Sequence, residues 1–232
     1  MAEVSRIALV AGATGLVGTS LLSALLEAPD FGRVFAITRR PLGSEHPKLA
    51  NRIVQWDKLE AQLKGLTCQV AFCCLGTTIR QAGSQEEFRR IDLGYVLAFA
   101  AAAKAAQAQR FVVVSSVGAD ASSKNFYLRT KGEMENAVAA LGLPAVDILQ
   151  PSVLLGWRRQ MRPLELGAIV AAPLLNPFLL GSKEIYRGIP ARTVAAGMIG
   201  AARSGRRGVQ RYTYSAIQAL ARLKAARTPA AA

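Results

Sequence analysis

The chain has 232 residues, 51% of them hydrophobic and 19% charged, with a formal net charge of +14. That length suits one large α/β domain, or one domain with a small appendage, and the apolar content excludes general disorder. Three cysteines, two of them adjacent as Cys73-Cys74, and the lone His46 exclude a disulfide framework and a spaced metal quartet, so no metal is expected.

The first element is a short buried-strand pattern from Ile7 to Ala11 that runs into Gly12, Gly15 and Gly18 and then into the apolar-periodic Leu21, Leu22, Leu25 and Leu26. Each glycine has a physical role. Gly12 permits a tight strand-to-helix turn, Gly15 lets a phosphate approach bare backbone, and Gly18 lets the helix lie close on the sheet. The opening N–H groups of that helix then face a pyrophosphate with the positive end of the dipole. The pattern predicts a dinucleotide site.

A second buried strand, Val34 to Thr38, ends on Arg39-Arg40-Pro41. An acidic residue at this position would bind the 2′-hydroxyl of NAD, whereas an arginine fork matches a 2′-phosphate. Arg39 and Arg40 therefore point to NADP(H) as the cofactor. Arg52 to Asp57 reads as a third strand, with Asp57 placed either to face the adenine or to cap the helix that follows. The fourth strand is Val70 to Gly76. Ligands lie outside the carboxyl ends of parallel strands, so Leu75 and Gly76 should line the cofactor crevice.

Ser84 and Glu87 form a capping-box pattern at the start of a helix of about twenty residues reaching Ala108. Asp92, Tyr95, Val96, Phe99 and Ala103 fall near one face of it. Arg110 to Ser116 reads as the fifth strand, and the sixth ends at Leu149-Gln150-Pro151-Ser152. Five or six strands, apolar on both faces and alternating with helices, predict an α/β fold with a doubly wound parallel sheet of Rossmann type. The expected organisation is a dinucleotide-binding domain over 1–155, a small substrate or lid region over 156–225 integrated with it, and a frayed tail over 226–232.

Tyr127 and Lys131 open the helix after strand five, and positions i and i+4 share a helix face. A phenol beside an ammonium suits proton transfer coupled to hydride transfer. A free phenol titrates near 10, and bringing it to neutrality takes roughly 4 kcal/mol of preferential phenolate stabilisation, at about 1.36 kcal/mol per unit. A neighbouring ammonium in a low-dielectric cleft contributes to that. A hydroxyl from Ser116, or from Ser115, would hold the substrate oxygen.

These motifs resemble an atypical or extended short-chain dehydrogenase/reductase. More narrowly, Phe72-Cys73-Cys74-Leu75-Gly76-Thr77-Thr78, Ser115-Ser116-Val117-Gly118-Ala119-Asp120 and Tyr127-Leu128-x-x-Lys131-Gly132-Glu133 resemble the oxidoreductases related to the Tat-interactive protein, from about Ile7 to about Ala202. The resemblance implies NADPH binding through Thr14, Gly15, Leu16, Val17, Arg39, Arg40, Leu75, Gly76, Tyr127, Lys131, Leu154 and Arg162, with Tyr127 as proton donor and acceptor. One departure stands out. Gln150-Pro151-Ser152 occupies a place where the family often carries Arg-Pro-Gly.

Trp157, Arg158, Arg159, Met161 and Arg162 precede an apolar lid candidate, Leu164 to Leu180. Its longest charge-free part, Leu166 to Leu180, is broken by Pro173 and Pro177 and is too short to span a bilayer. No acidic residue follows Glu184, although Arg187, Arg192, Arg203, Arg206, Arg207, Arg211, Arg222, Lys224 and Arg227 do. The Arg206-Arg207 pair lacks interleaved aromatics, so this basic stretch reads as solvated surface and not as a nucleic-acid site.

The expectation is a soluble cytoplasmic NADPH-dependent reductase or dehydrogenase acting on a small carbonyl or alcohol. Substrate identity and oligomeric state, a homodimer included, stay open. Two other functions fit the same residues: an NADP(H)-binding regulatory protein with little turnover, and an epimerase or isomerase that retains its nucleotide.

Overall fold

The computed structural model describes residues 5–156, 179 and 181–223. Seven parallel strands form one sheet: β1 (Arg6–Ala11), β2 (Phe31–Thr38), β3 (Leu49–Ile53), β4 (Val70–Cys73), β5 (Arg110–Val114), β6 (Ala145–Leu149) and β9 (Gly208–Tyr212). Their spatial order is β3-β2-β1-β4-β5-β6-β9. A separate two-stranded ladder pairs β7 (Leu154–Leu155) with β8 (Ile189–Pro190).

The helices are α1 (Leu16–Glu27), the short α2 (Leu59–Gln62), α3 (Ile79–Ala82) and α4 (Gln85–Arg89), then α5 (Val96–Ala105), α6 (Phe126–Ala140), α7 (Ala191–Arg203) and α8 (Tyr214–Ala221). They cover both faces of the sheet. On one face, Leu21 and Leu25 of α1 meet Val194 and Met198 of α7 and Ile217 of α8 over Val10, Phe72 and Leu149. On the other, Val96, Phe99 and Ala103 of α5 join Met134 and Val138 of α6 over Leu9, Ala71, Phe111 and Ile148. Strands apolar on both sides fit only between two helical layers, which is the doubly wound arrangement the sequence predicts.

Several boundaries differ from the sequence reading. The third strand lies earlier, at Leu49–Ile53, because Trp56 is buried in a 3-10 turn (Trp56–Lys58) stacked on Tyr95, with ring centroids 5.3 Å apart. The fourth strand stops at Cys73 and frees Leu75 and Gly76 from the ladder. Ser84 does cap its helix, accepting from the Glu87 N–H at 3.0 Å. That helix is interrupted, however, by a π-helical segment, Arg90–Tyr95, between α4 and α5.

The seventh strand, β9, extends the sheet beyond the five or six expected. Residues after 156 therefore add α7, β9 and α8 to the same sheet. The segment from Trp157 through Met161 and Arg162 lies outside the described residues, as does the lid candidate apart from Leu179, and so does the tail over 226–232. Among the described residues no helix is long and apolar enough to cross a membrane.

Candidate active site

The carboxyl ends of β1, β4 and β5 open into a cleft of about 1360 Å³, closed on one side by β7 and the start of α7. Ligand pockets usually run to about 1000 Å³ at the upper end, so this cleft has room for a large ligand and a smaller one beside it.

Its floor is the turn between β1 and α1. Gly12 has φ +79°, and a Cβ there would stand 2.5 Å from the carbonyl carbon and oxygen of Cys74. Conformation and space both require glycine. A Cβ at Gly18 would overlap the Gly12 carbonyl oxygen, so α1 lies directly on the turn. Gly15 is the N-cap of α1, with no side-chain cap and no acidic residue in the first turn. The first N–H groups of α1 thus face the cleft with their positive dipole end unanswered, and Thr14, Gly15, Leu16 and Val17 line it. Bare backbone, free N–H groups and a first helical turn without carboxylates fit a dinucleotide pyrophosphate.

The far wall comes from α6. Asn125 caps it, its Oδ1 accepting from the Leu128 N–H at 3.1 Å. A Cβ at Gly132 would overlap the Ala121 backbone nitrogen, so this helix presses against the loop after β5. Tyr127 and Lys131 then project from one face into the cleft. The Tyr127 ring packs on Phe88 with centroids 5.6 Å apart.

Lys131 is only 4% exposed, and its Nζ lies 2.7 Å from Oδ1 of the fully buried Asp92. Oδ2 of Asp92 accepts from the Thr77 N–H at 2.8 Å, while Oδ1 makes a charge contact without a well-aligned hydrogen bond. Burial alone would push the Lys131 ammonium down. The Asp92 carboxylate, with Tyr127 and Cys73 near by, reverses this and holds it above the usual lysine range.

Leu75 and Gly76 line the cleft, and a Cβ at Gly76 would sit 3.5 Å from Asp92 Oδ1 and 3.8 Å from Lys131 Nζ. Ser115, 6% exposed, lines it as well, and its Oγ has no hydrogen-bond partner among the described residues. Ser116 does not line the cleft, and its Oγ contacts the Val117 carbonyl at 3.3 Å. Leu154 lines the opposite side.

Three further residues stand apart. Arg39 and Arg40 are exposed at the end of β2, outside the lined cleft, in a turn held by Thr38 Oγ1 donating to the Arg40 carbonyl at 2.7 Å. Asp57 is also outside, exposed and paired with Arg90 at 3.3 Å. Arg162 lies outside the described residues.

Sequence reasoning did not single out Asp92 or Arg192 as site residues, although both line the cleft. A carboxylate on an otherwise apolar helix face was an available signal for Asp92. Arg192 carried none, since it sits 176 positions after Leu16.

The chain matches the model of the NAD(P)H-binding family over residues 12–160. It is 38% identical over 157 residues to protein FMP52 of Debaryomyces hansenii, covering 66% of this chain and 69% of that protein. It is 39% identical over 160 residues to HTATIP2 of Rattus norvegicus, covering 67% and 66%. Both relatives bear out the family read from the motifs. Among solved structures, the human epimerase family protein SDR39U1 with NADPH superposes with a TM-score of 0.60 at 22% identity, over 89% of this chain and 74% of that one. MoeE5 in complex with UDP-glucuronic acid and NAD gives 0.64 at 21%, over 89% and 76%. These two speak for the fold alone. The expectation of a cytoplasmic protein is overturned by the relatives, because the FMP52 proteins carry a mitochondrial designation.

Proposed function

We propose, from the premise that this chain belongs to the NAD(P)H-binding family, that it is an NADP(H)-dependent oxidoreductase acting on a small carbonyl or alcohol. One observation carries this reading. Tyr127, Lys131 and the hydroxyl of Ser115, which has no hydrogen-bond partner among the described residues, line the same cleft as the glycine turn.

A nicotinamide dinucleotide, when bound, supplies or accepts the hydride. The work of the protein is then positional and electrostatic. In the reductive direction, the Tyr127 O–H gives its proton to the substrate oxygen as the carbonyl becomes an alcohol. The Lys131 ammonium faces that phenol and stabilises the charge left on it. The Ser115 hydroxyl is free to donate a hydrogen bond to the substrate oxygen, and this makes it a better polariser than Ser116, whose oxygen is turned to Val117. In the oxidative direction the same groups act in reverse. Arg39 and Arg40, exposed and free of carboxylate partners among the described residues, support NADP(H) over NAD(H).

The test is a panel of aldehydes and ketones with NADPH, following nucleotide oxidation for the wild type and for Tyr127→Phe, Ser115→Ala and Ser116→Ala. Loss of the proton donor should lower kcat by about 10²- to 10⁴-fold. Ser115→Ala should exceed Ser116→Ala in effect. Full activity in Tyr127→Phe would end the mechanism.

A further inference from the structure

Among the described residues three charged side chains line the cleft: Asp92, Lys131 and Arg192. The first two are paired with each other. Arg192 is exposed and has neither an ion pair nor a hydrogen bond among the described residues.

Its position follows from chain path. The β7–β8 ladder sets Leu154 beside Ile189 and Leu155 beside Pro190, and α7 starts at the next residue. Gly156, just after β7, lies so close to α1 that a Cβ there would stand 2.8 Å from Cδ1 of Leu16, the first residue of α1. Helices α1 and α7 pack together. They also run the same way, because Arg203 at the end of α7 pairs with Asp30, just beyond α1, at 2.7 Å. Both helix N-termini therefore meet at one end of the cleft.

An arginine on the first turn of α7 opposes that helix's own dipole. The turn has no acidic residue and no side-chain cap to offset it. An anion seated between the two helices relieves both, and a guanidinium matches phosphoryl oxygens in bidentate fashion. Arg39 and Arg40 lie at the end of β2, where the 2′-phosphate is expected, which leaves the pyrophosphate as the anion over Leu16.

We propose that Arg192 is a nucleotide-binding residue whose guanidinium closes on the dinucleotide pyrophosphate from the α7 side, opposite the glycine turn. This rests on the dinucleotide reading of the cleft but not on any particular substrate or reaction. It makes α7, remote in sequence from the glycine motif, part of the cofactor site.

The test is isothermal titration of the full chain with NADPH, NADH, ADP and adenosine 2′-monophosphate, for the wild type, Arg192→Gln, Arg192→Lys and Arg192→Glu. Because Arg192 is exposed, without described partners and set against its own helix dipole, none of the three variants should unfold at a lower temperature than the wild type. Arg192→Gln should weaken NADPH, NADH and ADP by about tenfold each and leave adenosine 2′-monophosphate unchanged, with Arg192→Lys recovering part and Arg192→Glu losing more. It should also flatten the salt dependence of NADPH binding. Loss confined to NADPH and adenosine 2′-monophosphate would place Arg192 on the 2′-phosphate and overturn the assignment. Equal affinities in wild type and Arg192→Glu would overturn it too, with the dinucleotide reading intact. A wild-type chain that binds none of the four would remove that reading and the Arg192 assignment together.

Discussion

Asp92 and Lys131 meet at 2.7 Å inside the cleft, the carboxylate fully buried and the ammonium nearly so. They come from different elements, a π-helical turn and α6, and the Thr77 N–H fixes the second carboxylate oxygen from the loop after β4. A π turn displaces one residue from the ordinary helical stagger and is often found at functional positions. Here it carries a carboxylate into the wall that also holds Tyr127.

Removing one partner from such a pair strands a buried charge. Asp92→Ala should therefore lose about 3–5 kcal/mol of stability in urea unfolding, and the double variant Asp92→Ala/Lys131→Met should recover most of it. Simple additivity of the two single changes would show that the pair is not coupled.

The same pair sets a pH dependence. The folded Lys131 value is raised, so its contribution is complete below the unfolded lysine value of about 10.4 and is lost as pH climbs through the folded one. Wild-type stability should fall more steeply above about pH 10.4 than that of the double variant. Parallel curves would contradict this.

Asp30 supplies the acidic counterpart. Burial would raise its carboxyl, but Arg203, by hydrogen bond and charge, and Arg6 hold it below the usual range. Its contribution is present above the ordinary aspartate value and is lost as pH falls through the lowered folded one. Asp30→Asn should cost about 1–3 kcal/mol at pH 7, and the gap to wild type should close toward pH 2. A gap that stays constant between those pH values would rule this out.

At the glycine turn, Gly18→Ala should cost about 1–3 kcal/mol or more, because its methyl overlaps the Gly12 carbonyl. Gly43→Ala, where a Cβ meets open space, serves as the control and should be near neutral. Thermal unfolding of both checks this, and equal shifts would refute the steric account.

For cofactor choice, Arg39→Ala/Arg40→Ala should weaken NADPH binding at least about tenfold with NADH little changed, since each 1.4 kcal/mol of lost phosphate contact is a factor of about ten. Equal losses for the two nucleotides would remove the 2′-phosphate role.

The glycine turn and the Tyr127–Lys131 pair were legible in the sequence because each is local: three glycines at a strand–helix junction and two side chains one helical turn apart. β3 was misplaced because it is a half-exposed edge strand with little pattern, while the apolar Trp56 beyond it is buried by stacking on Tyr95. β9 was missed for a related reason, being an edge strand exposed along most of its length.

Which of two adjacent serines faces the cleft was not legible either. Successive side chains on extended backbone point to opposite sides, and only the pairing of the β5 end with β6, through Ser115 N–H to the Leu149 carbonyl at 2.7 Å, decides between them. By itself, then, the amino-acid order determined the alternating strands and helices, the nucleotide turn and the phenol–ammonium spacing, since short-range sterics and periodicity dictate all three. The Asp92 ion pair, the facing of Ser115 into the cleft and the placing of Arg192 in the same cleft as the start of α1 were decided only by tertiary structure. They depend on helix packing and strand register that join residues far apart in the chain.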